Sequence, residues 1–127
     1  MDVTPLVKTG AQIIQSYADG GFRVSGARYD GAIIVDAAQT TPWSAAQEKD
    51  VKSLTEDDFT QLLSRAADID VVLLGSGKTL IFLNPAIKNA LKSQGLSIEV
   101  MDTGAACRTY NVLMAEGRRV TAALLPV

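Results

Sequence analysis

Residues 70–77, DVVLLGSG, constrain the fold of this chain more than any other stretch. Val71, Val72, Leu73 and Leu74 are consecutive apolar residues, half of them β-branched. A run of this length and type reads as a strand buried on both faces, which requires helices above and below it. Gly75-Ser76-Gly77 then lets the backbone turn sharply, because glycine has no Cβ and tolerates positive φ. Asn84-Pro85 follows as a helix start, with Asn as N-cap and Pro where its missing N–H costs nothing. Strand, glycine turn and helix together make one unit of an α/β sheet.

Gly75-Ser76-Gly77-Lys78-Thr79 has some letters of a phosphate-cradling loop but not its spacing. That motif needs a glycine five positions before the second one, and Val72 stands there, inside the strand. The helix should also open at the Lys-Thr pair, so that its N–H groups face the phosphates. Here Leu80-Ile81-Phe82-Leu83 intervenes. A dinucleotide fingerprint fails as well, since Leu80 occupies the place of the third glycine. What remains is a strand-end turn, with a weaker reading in which it holds a small anion or polar ligand.

Bulk properties exclude several function classes. The chain has 127 residues, which suits a single domain over 1–127, and 47 % of them are apolar, which argues against disorder. Its net charge is −2 and its basic residues are scattered, apart from Arg118-Arg119, so nucleic acid is not an expected partner. There is no histidine, and Cys107 is the only cysteine. Internal disulfides, Cys-type zinc sites and Ser-His or Cys-His nucleophiles are therefore excluded. No cofactor or metal is expected, and no catalytic set is recognisable. Residues 1–10 lack a charged-then-apolar signal pattern, and no apolar run approaches the ~20 residues of a membrane span. The expectation is a soluble, cytoplasmic protein.

Along the chain, residues 12–17, the Asp19-Gly20-Gly21 turn and Phe22-Arg23-Val24 predict a β-hairpin. A second turn is expected over 26–31, and Ala32-Ile33-Ile34-Val35 reads as a third strand. Residues 36–54 lack periodicity, and Trp43 within them is expected to plug the loop onto the core, its indole N–H on a backbone partner. The spacing predicts an amphipathic helix over 55–67, started by a Thr55/Asp58 capping box and burying Phe59, Leu62, Leu63 and Ala66. Its acidic start reads as a helix signature rather than a metal cluster. A helix over 85–94 closed by Gly95, a strand over 97–101, a helix over 105–115 and a strand over 120–125 complete the order. The buried stripe of the last helix is Ala106, Cys107, Tyr110, Leu113 and Met114.

This alternation predicts an α/β fold of three layers: a mixed, mainly parallel sheet with helices on its faces and an N-terminal β-hairpin. If strands 71–74 and 98–101 run parallel, Gly75-Ser76-Gly77 and Asp102-Thr103-Gly104 meet on the carboxyl edge, where ligands usually bind. The candidate ligand-binding residues are therefore Gly75, Ser76, Gly77, Thr103, Arg108, Tyr110 and Asn111. Arg108 offers an anion clamp, and Tyr110 and Asn111 offer orienting groups. In the alternative reading, Tyr110 and Asn111 satisfy backbone groups where helix meets sheet. Cys107, near a helix start and beside Arg108, is either an activated thiol or a small buried hydrophobe. Asp36 and Asp102 form a conceivable carboxylate pair, supported only by their places at strand ends.

The sequence also resembles a family of small, mostly uncharacterised single-domain proteins. Its eukaryotic relatives include an assembly factor for mitochondrial respiratory complex I and an adipogenesis-associated domain protein. The matching positions are Gly75-x-Gly77, Pro85, Leu91-Lys92, Gly95, Val100, Thr103, Ala106, Tyr110-Asn111, Leu113 and Gly117, extended by Tyr29-x-Gly31 and Trp43. The resemblance implies a three-layer α/β fold with a mixed sheet and no established enzymatic activity. The expected function is a non-enzymatic binding or assembly module with a protein partner of unknown identity. The alternatives are a small-molecule or anion-binding domain and, third, a Cys107 thiol enzyme. The oligomeric state is left open.

Overall fold

The computed structural model describes residues 10–127. The expectation about an N-terminal signal falls largely on residues 1–9, outside the described residues. Two sheets are present among the described residues. The smaller is an antiparallel meander of β1 (Ile14–Ala18), β2 (Gly21–Val24) and β3 (Ala27–Asp30). Both of its turns have two residues at positive φ, Asp19-Gly20 at 54° and 76° and Ser25-Gly26 at 44° and 86°. These are the mirror-image hairpin turns whose twist matches that of the strands.

The larger sheet contains β4 (Ile33–Val35), β5 (Thr40–Pro42), β6 (Val71–Gly75), β7 (Ile98–Met101) and β8 (Val120–Leu124), in the order β5-β4-β8-β6-β7. β6 runs parallel to both β7 and β8, whereas β4 is antiparallel to β5 and β8. The sheet is thus mixed, with only β4 opposing the common direction. Its faces are covered separately. Val72 and Leu74 join Trp43, Phe59, Leu62 and Leu91 on one side. Leu73 joins Phe22, Cys107, Tyr110 and Leu124 on the other. The first face carries α1 (Thr60–Leu63) and α2 (Pro85–Ser93), the second α3 (Thr103–Ala115) with the small sheet.

Three expectations are corrected here. The first third of the chain holds an extra strand, β3, because between the turn at Ser25-Gly26 and the bend at Gly31 residues 27–30 pair with β2, Phe22 opposite Tyr29. The 36–54 segment likewise contains β5, which pairs with β4. The expected helix over 55–67 is broken into a 3₁₀ turn at Glu56–Phe59, α1 and a second 3₁₀ turn at Ala66–Asp68. The cause lies at Trp43. It is fully buried, and its Nε1–H donates to the Asp58 carbonyl at 2.8 Å. The indole engages a carbonyl that a regular helix would offer to Leu62, and such side-chain insertion interrupts the helical ladder. The Asp58 carboxylate is meanwhile taken by the Thr55 amide at 2.8 Å and by Lys49 at 3.0 Å.

The helix start expected at Asn84-Pro85 forms as read, and α3 has a side-chain cap of its own. The Asn84 side chain caps α2 by accepting from the Ala86 amide at 2.9 Å, with Pro85 at the first helical position. The Asp102 side chain caps α3 by accepting from the Ala105 amide at 3.0 Å.

Candidate functional site

β6 and β7 are neighbours in parallel register, with Gly75 opposite Met101, and Gly75 also faces Leu124 of β8. The two glycine-bearing exits therefore leave the same edge side by side. The Ser76 amide donates to the Met101 carbonyl at 2.8 Å, and the Thr103 amide to the Gly77 carbonyl at 2.9 Å. The buried Thr103 hydroxyl accepts from the Gly77 amide at 2.9 Å and donates to the Leu125 carbonyl at 2.6 Å. One side chain thus joins the ends of β6 and β8 to the start of α3. Gly75 is required by this closeness: a Cβ there would lie 2.8 Å from the Thr103 hydroxyl and 3.1 Å from its Cα. Ser76 is buried, and its hydroxyl donates to the Thr79 carbonyl at 2.7 Å and accepts from the Ile81 amide at 3.1 Å, folding the following loop back on itself. No helix follows until Pro85, as the motif spacing predicts.

The two loops close on each other, and the open space lies beside them. A cleft of about 480 Å³ is bordered by Gly77, Lys78, Asp102, Gly104 and Arg108, with Tyr17 and Asp19 of the first hairpin opposite. The Arg108 guanidinium donates to the Tyr17 hydroxyl at 3.0 Å. That hydroxyl lies so close over Gly104 that a Cβ there would be 2.6 Å away. The Gly20 amide donates to the Val127 carbonyl at 2.9 Å, holding the hairpin against this edge. Lys78 and Arg108 are the cations of the cleft, and Asp19 and Asp102 its carboxylates.

Of the predicted site residues, Gly77 and Arg108 border the cleft, while Gly75, Ser76 and Thr103 form the packed structure behind it. Tyr110 and Asn111 face elsewhere. The Tyr110 hydroxyl donates to the Gln12 carbonyl at 2.8 Å. The Asn111 side chain donates to the Ile14 carbonyl at 2.8 Å and accepts from the Ile14 amide at 3.0 Å, replacing a strand neighbour for β1. Both fasten the small sheet to α3, the backbone-satisfying role considered from the sequence. Burial, and to a lesser degree the Asp36 carboxylate, raises the Tyr110 phenol.

Cys107 is buried among apolar neighbours. Burial pushes its thiol up to about 12, against the pull of Arg108. This is the setting of a packing residue rather than of a thiolate nucleophile. Asp36 and Asp102 lie at opposite ends of the sheet. Asp36 follows Val35, the end of β4 that points towards the start of β8, and its carboxylate binds Arg65 at 2.9 Å. Asp102 follows Met101 at the other edge. They form no pair. Among the described residues no group of three or more His, Cys, Asp or Glu side chains is placed to hold a metal. No described helix is long and apolar enough to cross a membrane.

Lys78, Tyr17, Asp19 and Gly104 border the cleft without having been singled out as binding residues. Lys78 and Gly104 carried a local signal, since Lys78 adjoins the first turn and Gly104 belongs to the second. Tyr17 and Asp19 carried none. A hairpin far back in the chain is brought there by the Gly20–Val127 and Asn111–Ile14 contacts.

A family model described as "Protein of unknown function (DUF498/DUF598)" matches residues 14–125. The chain belongs to that family. An uncharacterised protein of Rhodobacter capsulatus is 36 % identical over 93 % of this chain and 87 % of its own length. The NADH dehydrogenase 1 alpha subcomplex assembly factor 3 of Mus musculus is 33 % identical over 91 % of this chain. The match spans 61 % of the length of that relative. Among solved structures, a Bordetella pertussis protein described as a Mth938-like domain superposes with a TM-score of 0.80 at 30 % identity, covering 99 % of this chain and 92 % of its own. The mixed three-layer fold of this DUF498/DUF598 member is therefore that of the Mth938-like domains.

Proposed function

We propose that this DUF498/DUF598 member is a non-enzymatic assembly or binding module that works through protein–protein contacts. The observation that carries the reading is the 33 % identity, over 91 % of the chain, to a protein named as an assembly factor. The site geometry supports it. The polar side chains read as binding candidates, Ser76, Thr103, Tyr110 and Asn111, are taken up by backbone groups of the fold. Beyond Ser76, Leu80 and Phe82 stand 50 % and 74 % exposed on a segment anchored by that serine, large apolar side chains of the kind enriched at interfaces. Affinity capture with the full-length protein should retain a partner in fixed stoichiometry, and the Leu80→Ser/Phe82→Ser double variant should lose it while keeping its unfolding midpoint. Capture of no partner, together with measurable turnover on a substrate panel, refutes the proposal.

A second reading rests on the edge cleft, where Lys78 and Arg108 line one space beside the start of α3. It is a small-molecule or anion-binding domain. Amide shifts on adding phosphate, nucleotide or carboxylate ligands should then cluster at residues 77–78 and 102–108. A scattered or null response removes it.

A further inference from the structure

The opposite edge of the sheet carries a second opening. β4 ends at Val35, opposite Ala122, whereas β8 begins two residues earlier at Val120. Asp36 to Ala38 turn away, their turn closed by the Asp36 carboxylate accepting from the Ala38 and Gln39 amides at 2.8 and 2.9 Å. The sheet therefore parts between β4 and β8, and a cleft of about 440 Å³ occupies the gap, within the size range of small-ligand pockets. Its lining is mainly apolar, with Ile69, Met114, Val120, Ala37 and Ala38.

Two donors in that lining have no hydrogen-bond partner among the described residues. Thr121 is 2 % exposed, and its hydroxyl makes no hydrogen bond among the described residues. Arg118 lines the same cleft with no side-chain hydrogen bond or ion pair among the described residues. The other charges there are engaged with one another. Arg65 binds Asp36 at 2.9 Å, and Arg119 binds Asp70 at 2.7 Å with Asp68 acting on it electrostatically. The Val112, Met114 and Leu113 carbonyls of α3 accept from the Glu116, Gly117 and Arg118 amides. Arg118 acts on Asp70 only through space, helping Arg119 to hold that carboxyl below its ordinary value, and is itself in no ion pair among the described residues.

We propose that this cleft between the ends of β4 and β8 is a binding site for a small apolar-chain carboxylate, its chain against Met114, Ile69 and Val120 and its head group on Arg118 and Thr121. Both polar groups are donors, and an acceptor carrying one negative charge completes them. A multiply charged phosphate would meet the Asp36 and Asp68 carboxylates. The site is separate from the edge at Gly77 and does not depend on the assembly reading.

The test is an amide-shift titration of the full-length protein with octanoate, 1-octanol and acetate. Octanoate should give saturable shifts at residues 36–38, 69 and 114–121. It should bind about tenfold more tightly than 1-octanol, the range expected for a charge-assisted hydrogen bond. Acetate, lacking the chain, should not saturate at the same concentrations. Arg118→Ala, at an exposed position, should keep the unfolding midpoint and abolish the preference for octanoate over octanol. Shifts confined to residues 77–78 and 102–108, equal affinity for octanol, an undiminished preference in Arg118→Ala, or no saturable response each overturn the proposal.

Discussion

Replacing Thr103 by valine tests the joint on which the carboxyl edge is built. Valine keeps the shape of the side chain and removes the hydroxyl. The buried Gly77 amide then loses its acceptor at 2.9 Å and the Leu125 carbonyl its donor at 2.6 Å. Water cannot readily replace either partner, because Thr103 is fully buried. Each buried polar group left unpaired costs about 1–3 kcal/mol, so the change should destabilise the fold by roughly 2–6 kcal/mol. For a domain of this length that lowers the thermal midpoint by roughly 10–20 °C. Thr103→Ser provides the control, since it keeps the hydroxyl and removes one methyl, worth about 1 kcal/mol. Urea unfolding of the three proteins under one set of conditions reads the difference. If serine costs more than valine, methyl packing rather than the paired hydroxyl holds this edge, and the reasoning fails.

Four further outcomes are expected. Gly75→Ala should cost about 1–3 kcal/mol, because the new methyl meets the Thr103 backbone and not merely a movable side-chain end; an unchanged urea midpoint would contradict the close approach. Asn111→Ala should cost about 1–2 kcal/mol and speed hydrogen exchange at the Ile14 amide specifically; uniform or absent acceleration would sink the idea that Asn111 pins β1. Cys107 should resist a thiol reagent at neutral pH until the protein is unfolded, and rapid labelling of the native state would refute its burial. Its raised pKa means that the stabilisation from burying the neutral thiol is full below the unfolded value near 9.0 and is lost as pH climbs towards about 12. Burial opposes ionisation of Asp58, yet the Thr55 amide and Lys49 hold its carboxyl below the ordinary value of 3.8. Its stabilisation is thus present above that value and lost as pH falls through the lower folded one. Asp58→Asn should therefore be less stable than wild type at neutral pH, with the gap closing in strong acid; a gap independent of pH would count against the ion pair.

What could be read from the letters was what nearby residues decide. Val71 to Leu74, the Asn84-Pro85 cap, the Asp19-Gly20 turn and the stripe of α3 each carry their own signal within a few positions, and each forms as read. The misreadings come from distant partners. The 55–67 pattern is helical by itself and is interrupted by an indole from residue 43. β3 exposes Arg28 and Asp30 and half-buries only Tyr29, so it has no apolar alternation to reveal it. At the carboxyl edge the meeting of Gly77 and Thr103 followed from parallel strand order alone. That their contact would be filled, with the open space displaced towards Tyr17, depended on a hairpin ninety-one positions from Arg108. The cleft at the other edge depends on where β4 peels away from β8, which no single segment encodes.

The small sheet rests on α3 through Asn111, Tyr110 and the apolar cluster shared by Ile14, Phe22 and Val24. The chain's one cysteine belongs to that same cluster. A thiol placed beneath a detachable cover records every occasion on which the cover lifts. Its labelling rate therefore serves as a built-in gauge of breathing in residues 14–30. A partner that clamps the hairpin in place would slow that clock, and one that pries it open would quicken it, with no probe added to the protein.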